Sequence, residues 1–113
     1  MTPTANRVTT SRAITSANQW TPWVTIYNAP CTVLVQGTFS GTVTLQMRGP
    51  RQAGSDLPWA GDADGAVDVK TWTAPVAETS FQVGGGFQVR LGCKTAEFTS
   101  GTANIWLGGG DPV

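Results

Sequence analysis

In residues 31–48, CTVLVQGTFSGTVTLQMR, two alternating runs flank a Ser-Gly pair. Cys31, Val33 and Val35 take every second position of the first run, and Val43, Leu45 and Met47 every second position of the other. A period of two gathers one set of side chains on one face of an extended strand, whereas a helix would gather every third or fourth. The β-branched content suits a pleated, half-buried surface. The stretch therefore reads as strands over Thr32–Phe39 and Thr42–Arg48 with Ser40-Gly41 as the turn between them.

Outward from this hairpin the same signature recurs. Strands are expected at Trp23–Tyr27, Ala66–Trp72, Thr79–Val83, Phe87–Leu91 and Thr102–Leu107. Asn28-Ala29-Pro30, Ala74-Pro75, Gly84-Gly85-Gly86 and Ser100-Gly101 supply the breaks. No segment sustains a helical period. Short strands at such spacing predict an all-β fold, a single antiparallel β-sandwich (jelly-roll or Ig-like) of about seven to eight strands. Phase predicts its core: Val24, Ile26, Val33, Val35, Val43, Leu45, Val67, Val69, Val89, Leu91, Ile105 and Leu107. Phe39–Leu45 is echoed by Thr99–Ile105, which reads as two hairpins built with the same turn chemistry. Residues 1–18 are small, polar, mildly basic and free of aromatics, so they are expected to form an extended N-terminal arm, leaving 19–113 as the sandwich domain.

Composition narrows the function. Of the 113 residues 40% are hydrophobic and only 12% charged, about half the roughly 25% of a typical soluble domain. Polarity comes instead from 17 Thr, 6 Ser and 14 Gly. No apolar run approaches the roughly 18 residues of a membrane helix, and no charged-then-apolar signal segment opens the chain. Neither a membrane nor an oxidising compartment is expected, and Cys31 and Cys93 should be reduced core thiols. Residues 1–55 carry four arginines and no acid, while residues 56–113 hold all seven acids. That asymmetry favours head-to-tail contact between copies. Four scattered arginines make no basic stripe, so nucleic acid is not an expected partner.

The absence of His removes Ser–His and Cys–His nucleophile pairs. Asp62-x-Asp64-Gly65-x-x-Asp68 lacks the ligand spacing of an EF-hand loop and suits a turn before a strand. Gly84-Gly85-Gly86 leads into a strand rather than the helix of a phosphate-binding loop. No catalytic, cofactor-binding or metal-ligating residues are expected, and the chain does not read as an enzyme. Five Trp is a high count, however. Trp23 and Trp106 are out of phase with the apolar residues of their strands, and Trp59 sits in the unpatterned Gly49–Gly65 stretch. Trp is enriched at the centres of protein interfaces. Trp23, Trp59 and Trp106, with Arg7 and Arg12 of the arm, are the candidate interface residues. A second covered sheet face and a sugar-stacking platform are the other readings of the surplus Trp.

The chain resembles small β-sandwich structural proteins of tailed-bacteriophage virions, of the capsid decoration (cement) or head-fibre type. The resemblance lies in residues 31–48, in Thr71-Trp72-Thr73-Ala74-Pro75, in Gly86-Phe87-Gln88-Val89-Arg90-Leu91-Gly92 and in Thr99–Leu107. It departs at Gly49–Gly65, where a short Gly-rich hairpin is expected. The resemblance implies a non-enzymatic virion protein, assembled in the host cytoplasm, that binds the major capsid protein on the outer capsid surface. It further implies a homo-oligomer, with a trimer favoured. The alternatives are a neck or tail component, or a carbohydrate-binding or host-adhesion module.

Overall fold

A computed structural model describes residues 8–26, 31–52, 54–61, 63–81 and 87–109. Eleven strands are described: β1 (Val8–Ile14), β2 (Gln19–Trp20), β3 (Val24–Ile26), β4 (Cys31–Gln36), β5 (Phe39–Gly41), β6 (Val43–Arg48), β7 (Val67–Trp72), β8 (Val76–Phe81), β9 (Phe87–Cys93), β10 (Phe98–Gly101) and β11 (Ala103–Gly109). No helix occurs among the described residues. One sheet runs β1-β11-β4-β8, and the other runs β9-β6-β7 with β2 and β3 both paired to the free side of β9. Every pairing is antiparallel. β11 lies over β9, and β1 lies against β2 and β3, so the two sheets face each other as a sandwich.

The chain crosses from the first sheet to the second through β5 and returns through β10. These two short strands pair with each other and bridge one end of the sandwich. The opposite, open end collects the start of β1, the end of β11, the end of β6 and the starts of β7 and β9. Between the sheets the predicted alternation holds. Cys31, Val33, Val35, Ile105 and Leu107 from one side meet Ile26, Val43, Leu45, Val89 and Leu91 from the other, all buried. Each such side chain contributes about 1.5–3 kcal/mol when fully withdrawn from water. Val24 is partly buried against this core.

Four expectations change. The strand number is eleven rather than seven to eight. Residues 8–14 of the expected arm are a sheet strand, in register with β11 from Val8↔Gly109 to Ile14↔Ala103. An edge strand needs little apolar content, and here Ile14 is a fully buried anchor in a strand otherwise rich in Thr and Ser. Met1–Arg7, including the candidate Arg7, lie outside the described residues.

Ser40-Gly41 and Ser100-Gly101 are not hairpin turns. They belong to β5 and β10 and lie opposite each other, with Ser100↔Ser40 and Gly101↔Phe39 in register. Glycine is required because the backbones approach closely: a Cβ on Gly101 (φ 89°) would overlap the Thr38 carbonyl. The rings of Phe39 and Phe98 stack 6.4 Å apart across this bridge.

Val67 and Val69, expected in the core, are exposed. A β-bulge shifts the register, so that Leu45 faces Lys70 while Gln46 faces Asp68, which leaves Val69 between partners. Val67 keeps the face of Met47 but lies at the open end. Of the remaining expected strands, β8 starts three residues earlier than Thr79; Gln82, Val83, Tyr27 and the Asn28–Pro30 and Gly84–Gly86 turns lie outside the described residues.

Both cysteines are free and buried. Cys31 opens β4 at the open end, whereas Cys93 closes β9 beside the β5–β10 bridge. Burial pushes each thiol up to about 11, with Glu97 adding to the effect at Cys93.

Candidate functional site

The outer face of the second sheet is itself covered. Thr21 pins the β2–β3 segment to β9: its Oγ1 accepts from the Leu91 backbone N–H at 3.0 Å, and its own N–H donates to the Leu91 carbonyl at 2.8 Å. This lays Trp20 and Trp23 over two arginines. The Arg90 guanidinium carbon sits 4.1 Å from the Trp20 ring centre and 4.8 Å from that of Trp23. Arg48 stands 4.2 Å from Trp23. A polar relay runs beneath. Arg90 Nε donates to Gln46 Oε1 at 2.9 Å, Gln46 Nε2 donates to Asp68 Oδ1 at 2.9 Å, and Asp68 is paired with Lys94. The Lys94 hydrogen bond, and then that of Gln46, hold the Asp68 carboxyl below the usual carboxylate range. Trp23 therefore rests half-buried on arginines of its own chain.

Beside this face the Gly49–Gly65 stretch folds back on the sandwich. Trp59 Nε1 donates to the Gly49 carbonyl at 2.5 Å, and its ring lies on Gly65 (φ 72°), where a Cβ would overlap it. Arg48 Nη1 donates to the carbonyls of Gly61 at 3.0 Å and Asp64 at 3.3 Å. The Asp64 carboxylate accepts from the Gly61 N–H at 2.7 Å, which makes this acid a turn former. Asp62 lies outside the described residues. No group of three or more His, Cys, Asp or Glu able to hold a metal ion occurs among the described residues.

Next to Trp59 the open end carries a cleft of about 470 Å³, lined by Met47, Pro50, Trp59, Val67, Phe87 and the flanking arginines 48 and 51. Val67 is 64% exposed and Phe87 41%. Met47, Val67 and Phe87 share the phase of the core, so the cleft is where the apolar interior runs out into solvent. Val8 and Gly109, from which the chain continues in both directions, lie at this same end.

The remaining candidates lie apart. Trp106 is on the outer face of the first sheet, half-buried. Arg12 reaches across the β1 edge, its Nη1 donating to the Trp20 carbonyl at 2.8 Å. Trp23 and Trp59 thus share the second-sheet side, Trp106 is on the opposite broad face, and Arg12 is at an edge. Three arginines of the basic first half have partners within the chain. Arg12 and Arg48 bond within the chain, and Arg51 pairs with Asp56 at 2.8 Å. The cleft residues Met47, Val67 and Phe87 were not among the sequence candidates, because each is indistinguishable in pattern from a core position.

No family model matches the chain, and no match is found among curated proteins or solved structures.

Proposed function

We propose that this protein is a non-enzymatic structural component of a bacteriophage virion. It acts as a capsid decoration protein that seats on the major capsid protein at the outer capsid surface and stabilises the head through contacts between subunits. The observation that carries this reading is the apolar cleft at the open end, where Val67 and Phe87 stand in solvent beside Trp59. Contiguous exposed apolar surface of this kind generally marks a contact site, and Trp with an arginine rim is typical of interface centres. The resemblance of residues 31–48 and 99–107 to virion β-sandwich proteins supplies the setting.

In this reading the open end packs against a neighbouring copy in a cyclic trimer and against the shell. Val67 and Phe87 are exposed, so replacing them with Ser leaves the fold intact. The expected outcome for Val67→Ser/Phe87→Ser is an unchanged circular dichroism spectrum. Sedimentation velocity should show loss of the trimer, and the variant should no longer co-pellet with shells of the virus's major capsid protein. A monomeric wild type, or a variant that still assembles and pellets, would overturn the reading.

A further inference from the structure

We infer that the outer face of the first sheet, centred on Trp106, is a binding site for a neutral saccharide. Four strands build this face, β1, β11, β4 and β8, and their charged residues are Arg12 and Glu78. Arg12 is in register with buried Ile105 and Glu78 with buried Val33, so both belong to the inward phase. The opposite phase, which forms the outer face, is uncharged throughout.

Trp106 stands at its centre in a lateral row with Ser11 and Leu34. Its ring lies over Gly108, where an added Cβ would meet three atoms of the six-membered ring. The indole thus rests against bare backbone at Gly108, and this contact is what requires glycine there. The next row brings Asn104 and Gln36 directly opposite each other on β11 and β4, both exposed. Ser11, Leu34, Gln36, Asn104 and Trp106 line a cleft of about 430 Å³.

The chemistry of this set is selective. An indole face takes the C–H face of a pyranose ring by apolar contact and dispersion. Each side-chain amide offers an acceptor and two donors, a match for neighbouring hydroxyls that are themselves donors and acceptors. Apolar surface with a few placed polar groups is the usual make-up of a small-ligand site. Among the described residues of the face none would neutralise a carboxylate or sulfate, so the fit is to uncharged hexoses rather than to sialic or uronic acids. The site lies on the broad face opposite the Trp59 side and is independent of the capsid contact proposed above.

The test begins with the full chain on an array of neutral and acidic glycans. Titration of the best neutral oligosaccharide by calorimetry and tryptophan fluorescence follows. The expected result is a neutral ligand with a Kd on the order of 0.1–1 mM. Trp106→Ala should weaken it at least roughly tenfold and Gln36→Ala/Asn104→Ala by a similar factor, while Val67→Ser/Phe87→Ser should bind as the wild type does. The double amide variant leaves the indole in place and so separates loss of recognition from loss of fold. Absence of neutral-glycan binding, or binding indifferent to both face variants, would overturn the inference. So would a Trp106→Ala protein that loses its oligomeric state yet keeps sugar affinity, an outcome that assigns the face to a second copy.

Discussion

Arg90 is 4% exposed, and its guanidinium lies among two indole rings and the amide of Gln46. Cation–π contacts contribute about 0.5–2 kcal/mol each, more where water is excluded, and a hydrogen bond from a charged group about 1.5–3. Arg90→Met keeps the length of the side chain and removes both. Its expected cost is about 1–3 kcal/mol, which for a domain of this size lowers Tm by roughly 4–12 °C. Calorimetry showing a shift within about 1 °C would mean the stacked arginine is a surface ornament. The excess of Trp was legible in the sequence as side chains out of phase with their strands. Their partners were not, because Arg48 and Arg90 come from distant strands whose register no spacing encodes. Acid should weaken this network and the separate Lys70–Glu78 pair. The folded-state pKa of Asp68 is depressed by Lys94 and that of Glu78 by Lys70. Such groups contribute stability in full above their unfolded values, roughly 4, and lose it as pH falls through the lower folded values. Tm should therefore hold from pH 7 to 5 and fall below about 4, with the slope of that acid limb reduced in Asp68→Asn.

At the scale of elements, β1 and β7 show what alternation can and cannot announce. β4, β6, β9 and β11 are central or doubly flanked strands. Their apolar positions must recur every second residue to fill the core, so they were readable. β1 is held by its pairing with β11 and the buried anchor Ile14, and VTTSRAI looks like a polar arm. In β7 the alternation was visible but misleading, since a bulge opposite Leu45 and Gln46 reverses its sense partway along. Ser-Gly pairs were seen, but turn chemistry and close strand approach both select glycine. The boundary of the domain follows from these facts and can be measured by truncation. Removing residues 1–7 should leave Tm unchanged, whereas removing residues 1–14 strips a whole strand from β11, uncovers Ile105 and should abolish cooperative melting. A stable 15–113 fragment would show that β1 is dispensable to the core.

Across the whole molecule, the two long edges of the sandwich are closed by charge. On one, Arg12 of β1 reaches the Trp20 carbonyl of β2. On the other, Lys70 of β7 pairs with Glu78 of β8 at 2.7 Å, and Trp72 Nε1 donates to the same carboxylate at 3.4 Å. Charged residues turned inward at a sheet edge discourage pairing with another chain's strand. Lys70→Val/Glu78→Val exchanges that pair for apolar side chains suited to a strand. The expected outcome is a folded protein that self-associates through its edges, seen as concentration-dependent light scattering with added cross-β signal. A variant as soluble as the wild type would assign edge protection elsewhere.

The register Val8↔Gly109 joins the earliest described strand to the last. On a ribosome β1 emerges before the other described strands and must wait for its partner until all of them have been made. β4 likewise waits, since β11 also lies between it and β1 in the first sheet. β6 and β7, by contrast, can pair as soon as both are made. The second sheet is thus half assembled while the first is still a pair of strands without a centre. Contacts so distant in sequence fold slowly, and translation interrupted before Ala103 yields a chain with no route to a closed interior. Cellular proteases would distinguish such a fragment from the finished protein by this one strand.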